Sequence, residues 1–286
     1  MDRMSGIATV LERCYVDACA LELRALKPGN AHVHAAGHRI AVAEMETSAR
    51  VSAGPLARPG VPAGRRILDA VSATHAAVGG NTNLGIVLLA APVLIAAETA
   101  QSGNLRDALH GVLTRLTVDD AAAAYAAIRL ASPAGLGAAP EQDVATPPTV
   151  DLRAAMSLAA SRDRVARQYA TDYEDVFMIG VPELASARRS QQPPEWGATR
   201  AFMAFLAAFP DSHVQRKHGP AVAEGVRAEA AALLPQVSRG PGDRQAVEML
   251  LAFDQRLKAG GLNPGTSADL TVASALAFTL NSTRDG

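Results

Sequence analysis

Gly79-Gly80-Asn81-Thr82-Asn83-Leu84-Gly85-Ile86-Val87-Leu88-Leu89-Ala90-Ala91 runs two glycines and a polar triplet straight into an apolar segment. Asn81, Thr82 and Asn83 are all good N-cap residues, so the spacing predicts a helix that opens at this turn. The apolar run continues to about residue 97 without a charge, which is long enough for a buried helix. It carries Pro92 and stops short of the roughly 20 unbroken apolar residues that a membrane span needs. A glycine-rich turn at the start of a buried helix leaves backbone N–H groups at a positive dipole end, where an anion is favoured. An ordinary capped core helix has the same pattern, and the two readings stand side by side.

The rest of the chain sets the scale of that core. Of 286 residues, 49% are hydrophobic and only 19% charged, the composition of a compact protein with a large interior. The net charge is -1, so nothing asks for nucleic acid or an anionic membrane surface as partner. Aromatics make up 4%, too few for a base-stacking platform. Cys14 and Cys19 match no zinc spacing and no disulfide framework, and read as reduced thiols. The first residues, Met1-Asp2-Arg3-Met4-Ser5-Gly6, lack an apolar leader, and the expected location is cytoplasmic.

Alanine is abundant and apolar residues recur at helical spacing, so the expected fold class is all-α. Ile7, Val10, Leu11, Cys14, Ala18 and Leu21 mark a helix over about 6–25, ended by Lys27-Pro28-Gly29-Asn30. His32, His34 and His38 follow, three of the seven histidines. They suit pocket lining, or a metal site that no carboxylate or cysteine at familiar spacing completes. A helix over about 40–51, a Pro/Gly loop over 54–64 and a helix over 65–78 lead into the opening turn. His75 sits on the apolar face of the last of these and reads as a core histidine.

Beyond the central helix, further helices are expected over about 105–115 and 118–131. Thr117 and Asp120 have capping-box spacing ahead of the second. Residues 132–148 are rich in Pro and Gly and read as a long loop, either a lid or a boundary between domains. Asp151 caps a helix expected to run over 152–170, with a charged second half holding Arg164 and Arg167. Helices over 196–208, 220–234 and 243–258 follow, with 210–219 read as a dense polar loop. Asn263-Pro264-Gly265-Thr266-Ser267-Ala268-Asp269-Leu270 opens a last apolar helix.

Taken in order, Lys27-Pro28-Gly29-Asn30, the Gly80–Gly85 turn, the loop 210–219 and the stretch 263–270 resemble the triphosphoribosyl-dephospho-CoA synthase family over essentially the whole chain. The resemblance implies one all-helical domain spanning 1–286, with a largely buried central helix. It implies a reaction in which the 2′-hydroxyl of dephospho-CoA attacks C1′ of ATP and adenine leaves. Such chemistry calls for a carboxylate beside the cationic ribose, a base for the hydroxyl, and cations for the triphosphate. On these motifs Glu22, Asp211 and Asp269 are the candidate catalytic carboxylates, and Asp211 and Asp269 the candidate ligands of Mg²⁺. Lys27, Gly29, Asn30, Gly80, Asn81, Thr82, Asn83, Gly85, Arg164, Arg167 and Ser267 are the candidate contacts to ATP. A homodimer is expected from the frequency of such assemblies.

The chain departs from the lyase-associated members in three places. Leu84 stands where they carry a lysine, Pro210-Asp211-Ser212-His213 keeps only the Asp of their Gly-Asp-Thr-Asn, and His32 replaces an Asp. The Asn-Thr-Asn-Leu-Gly form resembles a branch found with methanopterin-type one-carbon metabolism. An alternative is therefore a nucleotide- or phosphoribosyl-dependent step in making a tetrahydromethanopterin-type cofactor. A third is a nucleotide-binding protein without catalysis.

Overall fold

The computed structural model describes residues 2–34, 39–99, 104–133 and 136–282, and every regular element among them is helical. In chain order these are α1 (Asp2–Arg24), α2 (Arg39–Leu56), α3 (Ala63–Val78), α4 (Leu84–Thr99), α5 (Leu105–Leu113), α6 (Val118–Ala131), α7 (Leu152–Ala159) and α8 (Arg164–Ala170). A π-helical turn (Val176–Gly180) leads into α9 (Val181–Arg189). Then come α10 (Pro194–Ala208), α11 (Ser212–His218), α12 (Pro220–Val237), α13 (Arg244–Ala259) and α14 (Gly265–Ser282). The chain divides into two compact units. One comprises Met1–Cys19, Ala43–Tyr173 and Thr279–Gly286, the other Ala20–Val42 and Glu174–Phe278. The loop 132–148 lies inside the first unit and marks no boundary.

In the first unit α4 is apolar on every side, and such a helix is stable only when surrounded. Leu84 and Ile86 to Leu94 are buried without interruption, with α3, α5, α6 and α8 packed against it. Pro92 has no N–H, so the carbonyl four residues earlier loses its helical donor. That carbonyl, Leu88 O, accepts a hydrogen bond from the Tyr169 hydroxyl at 2.6 Å, and Tyr173 donates to Leu89 O at 2.9 Å. The helix therefore runs through the proline without a stranded carbonyl. The expected capping box is present. Thr117 Oγ1 accepts from the Asp120 N–H, and the Asp120 carboxylate accepts from the Thr117 N–H. The same carboxylate accepts from Gly64 N at 2.8 Å, and α3 comes so close to α6 there that a side chain at Gly64 would meet the Asp120 backbone.

In the second unit α10 is the core element, with Trp196, Phe202, Met203, Phe205 and Leu206 buried. Val214, Val226, Leu233, Leu250, Phe253 and Leu257 join it in one cluster. Burial of each large side chain is worth about 1.5–3 kcal/mol. Gly180 closes the π-helical turn where a side chain would run into Ser274 and Phe205.

Several expected boundaries move. Helix α2 passes through Pro55 to Leu56, so the following loop starts later than 54. The helix expected over 152–170 is two, because the chain turns at 160–163 and Asp163 caps a new start by accepting from Val165 N and Ala166 N. The polar loop 210–219 is mostly helix α11, capped by Asp211. On α1 the buried face holds Leu11, Cys14, Tyr15, Ala18 and Cys19, while Val10 is exposed.

Candidate active site

The end of α1 and the turn after it hold two fully buried opposite charges. Glu22 and Lys27 are 1% and 0% exposed and form an ion pair. Lys27 Nζ also donates to Asn30 Oδ1 at 2.9 Å and to Ala31 O at 2.8 Å. An ammonium has three hydrogens, and these three acceptors match them. Burial pushes the Glu22 carboxyl up and the Lys27 ammonium down, and the attraction of each for the other works against that. Taking both charges out of water costs several kcal/mol per ion, which is repaid only where every donor finds a partner. The loop geometry supplies those partners.

The turn in turn is locked to the start of the last motif. Gly29 has φ +81, and a Cβ there would stand 2.6 Å from Leu262 O and 2.9 Å from the Pro264 Cδ, so only glycine fits. Asn30 Nδ2 donates to Asn263 Oδ1 at 2.7 Å. Gly29 N donates to Asp254 Oδ1 at 2.8 Å. Asp254, on α13, also accepts from Lys258 at 2.7 and 2.8 Å and lies 3.2 Å from His32 Nε2. Its partners hold the Asp254 carboxyl below its usual range despite burial, the His32 contact being the strongest.

Asp211 joins the third motif to the fourth. Its Oδ1 accepts from the N–H groups of His213 and Val214 at 2.9 and 3.2 Å, the N-cap of α11. Its Oδ2 accepts from Ser267 N and Ser267 Oγ, each at 2.8 Å. A carboxylate has about four acceptor positions, and all are used. Asp211 is fully buried, and burial raises its carboxyl above the ordinary value against the pull of those four donors. Ser267 is likewise buried. Asp269, one residue beyond Ala268 on α14, is only partly buried, and its charge helps to hold the Lys27 ammonium protonated.

The remaining expected residues lie in the first unit. Asn81 Oδ1 accepts from Leu84 N at 3.1 Å and caps α4. Thr82 shares a hydrogen bond with Ser48 at 2.6 Å, and Asn83 Nδ2 donates to Ser52 Oγ at 3.2 Å. The triplet thus ties the turn to α2. Gly80 and Gly85 are partly exposed in that turn, and Leu84 is buried. Arg164 and Arg167 are partly exposed on α8, where both are engaged by neighbouring groups.

The histidines part company. His32 is buried on Asp254 and Lys258, whereas His34 is exposed and donates from Nε2 to Arg24 O at 2.9 Å. His38 lies outside the described residues. No group of three His, Cys, Asp or Glu side chains suited to a metal ion occurs among the described residues. Sequence reading passed over Asp254 and Lys258, although an Asp four residues before a Lys on one helix is a visible i,i+4 pair. It also took Asn263 as part of a motif without giving it a role.

The fold is that of a helical protein already seen in crystals. A structure from Archaeoglobus fulgidus, provisionally described as a triphosphoribosyl-dephospho-CoA synthase, superimposes with a TM-score of 0.63. It is 21% identical, and the match covers 82% of this chain and 96% of that one. The family model described as ATP:dephospho-CoA triphosphoribosyl transferase matches residues 8–285, and the chain belongs to that family of transferases. Among curated proteins none matches. No helix among the described residues is long and apolar enough to cross a membrane.

Proposed function

We propose that the chain carries out its family's reaction, moving the triphosphoribosyl group of ATP to the 2′-hydroxyl of dephospho-CoA with release of adenine, at the cluster of motifs in the second unit. The observation that carries this reading is the interlock of three motif stretches. Lys27-Pro28-Gly29-Asn30 is bonded to Asn263, and Asp211 to Ser267, so three segments far apart in sequence meet around Asp269 and the Lys27–Glu22 pair.

Within that cluster the geometry favours a division of labour. Lys27 and Asp211 have their hydrogen-bonding capacity filled by the protein, Glu22 is buried as the partner of Lys27, and the three act as the frame. Asp269 is the partly exposed carboxylate, and it is the one suited to stabilise positive charge developing on the ribose as the bond to adenine breaks. Asp211 has no oxygen to spare for Mg²⁺, so the pair Asp211 and Asp269 does not fit a resident ion. A magnesium ion arriving on the triphosphate is part of the substrate. The Gly80–Gly85 turn and the guanidiniums of Arg164 and Arg167 belong to the first unit and are assigned to no step.

A second reading keeps the chemistry and changes the acceptor. The lysine of the lyase-associated pattern is replaced by a buried Leu84 at the start of α4, which favours an acceptor from methanopterin-type cofactor synthesis.

Mass spectrometry of the pure protein incubated with ATP, Mg²⁺ and dephospho-CoA tests both. The expected products are adenine and a triphosphoribosylated dephospho-CoA. Asp269→Asn is expected to lower kcat by about 10²–10⁴ with helix content unchanged. ATP that is bound but left unchanged in the presence of dephospho-CoA moves the acceptor to the second reading, and an Asp269→Asn enzyme at full rate removes Asp269 from the chemistry.

A further inference from the structure

Asp254 and Lys258, one turn apart on α13, meet the segment 29–32 at both of its ends. At the first end Gly29 N donates to Asp254 Oδ1 at 2.8 Å. The helix lies so close there that a Cβ on Gly29 would stand 2.9 Å from the Leu257 Cβ. At the second end Lys258 Nζ donates to His32 Nε2 at 3.2 Å. That ring is fully buried, and burial together with Lys258 and Lys27 lowers its titration. It is therefore neutral, with the Nε2 lone pair given to the ammonium and the ring hydrogen on Nδ1. The other hydrogens of Lys258 go to the two oxygens of Asp254, at 2.7 and 2.8 Å. One carboxylate and one ammonium thus join the two grips into a single clamp.

The residues between the grips give the clamp a use. Asn30 and Ala31 lie between Gly29 and His32, and they supply two of the acceptors of the Lys27 ammonium, Asn30 Oδ1 at 2.9 Å and Ala31 O at 2.8 Å. A buried ammonium is held where its acceptors are, because each one lost leaves a hydrogen unpaired away from water. The placing of Asn30 and Ala31 therefore sets where the Lys27 charge stands. The charges that bear on Lys27 are Glu22 and Asp269, which favour the ammonium, and Lys258, which opposes it. Asp269 is the partly exposed carboxylate assigned above to the ribose. Attraction between charges varies with distance, and buried charges are screened little by salt, so a displaced Lys27 alters the field at Asp269.

We propose that Asp254 and Lys258 are positioning residues for the transfer, gripping Gly29 and His32 so that the Lys27 charge is held at the place from which it acts on Asp269. The assignment rests on the triphosphoribosyl transfer proposed above. In this role neither residue touches a substrate, and neither gives or takes a proton. His32 serves as the acceptor that lets Lys258 close the second grip.

The test is the rate of adenine release from ATP with dephospho-CoA, per folded molecule, for the wild type, Lys258→Met, His32→Leu and His32→Gln, and for Asp269→Asn with and without Lys258→Met. Lys258→Met and His32→Leu open the second grip and are expected to lower kcat about 10–100-fold, with KM for ATP within about threefold. The side-chain oxygen of His32→Gln reaches to the place of Nε2 and keeps an acceptor for the ammonium, so its kcat is expected within about fivefold of the wild type. In the Asp269→Asn background Lys258→Met is expected to change kcat by less than about threefold, since a clamp that works through Asp269 has nothing left to work on. A folded Lys258→Met enzyme within about threefold of the wild-type kcat overturns the proposal. So does a His32→Gln enzyme as slow as His32→Leu, or a further loss of about tenfold on adding Lys258→Met to Asp269→Asn. If Lys258→Met fails to fold, Asp254→Asn takes its place with the same expectations, because it keeps an oxygen for Gly29 N and leaves no buried charge unpaired. A wild type that releases no adenine overturns the underlying reaction and this role with it. An active wild type beside an equally active Lys258→Met overturns the role alone.

Discussion

The side chain of Asp211 shows how a residue that looks chemical can be architectural. Its four accepted bonds join the cap of α11 to the start of α14 in a fully buried place. Asp211→Asn puts a donor where a donor already points, and is expected to cost about 3 kcal/mol, read as a lower midpoint in chemical denaturation. Its neighbour His213 gives a pH signature. Burial, then Arg216, Lys217 and His218, lower its titration to about 4 from an ordinary 6.5. Between those values the unfolded chain binds more protons than the folded one, so stability is full above about pH 6.5 and falls as pH drops toward about 4. Denaturation midpoints at about pH 7 and about pH 5 are expected to differ by less in His213→Asn than in the wild type. The sequence reading offered Asp211 as a candidate catalytic carboxylate and magnesium ligand, and nothing local to 210–219 marks Ser267 as its partner. The pairing spans 56 positions and exists only in the folded chain. The Glu22–Lys27 pair was hidden for a nearer reason: the two are on opposite sides of a helix end, where no periodicity relates them.

At the scale of elements, patterns that depend on neighbours in sequence were readable and those that depend on packing were not. Thr117 with Asp120 announces α6, and the uncharged run from Leu84 announces α4, because caps and apolar faces are local. The short α11 was read as a loop because seven residues rich in cations carry almost no apolar stripe, and its stability comes from Val214 and the Asp211 cap. The break at 160–163 was missed because Arg162-Asp163-Arg164 looks as helical as it does polar. The turn 27–30 shows how closely elements approach. Gly29→Ala forces a Cβ against the Leu262 carbonyl and Pro264 in a left-handed conformation, and is expected to cost at least about 2 kcal/mol. The thermal midpoint checks this, and an unchanged value would mean that 257–264 yields easily.

The whole molecule carries one tryptophan, Trp196, in the second unit. Its ring is buried and its Nε1–H donates to Val237 O at 3.1 Å. Native emission is expected to be blue-shifted and insensitive to iodide, with a red shift on unfolding. Ready quenching in the native state would contradict the packing of α10 on α12. Far-ultraviolet dichroism reads helices in both units, whereas this emission reports only on the unit holding the candidate site. It is therefore the probe to accompany every variant made there. The near-neutral charge and the helical class were both plain from composition, since they are sums over residues. The division into two units was not, because each is assembled from separated segments of the chain.

The hydrogen bond from Tyr169 to the carbonyl that Pro92 leaves without a helical donor ties two distant positions into one heritable unit. Losing the phenol while the proline stays strands a carbonyl in the core, whereas once the proline is gone an amide can serve that carbonyl in its place. Removing the phenol is thus expected to cost more with Pro92 present than with Pro92 replaced, over and above the cavity that the buried ring leaves in both cases, and a double-mutant cycle measures the difference. Among lineages that keep the proline, the phenol is expected to be kept with it.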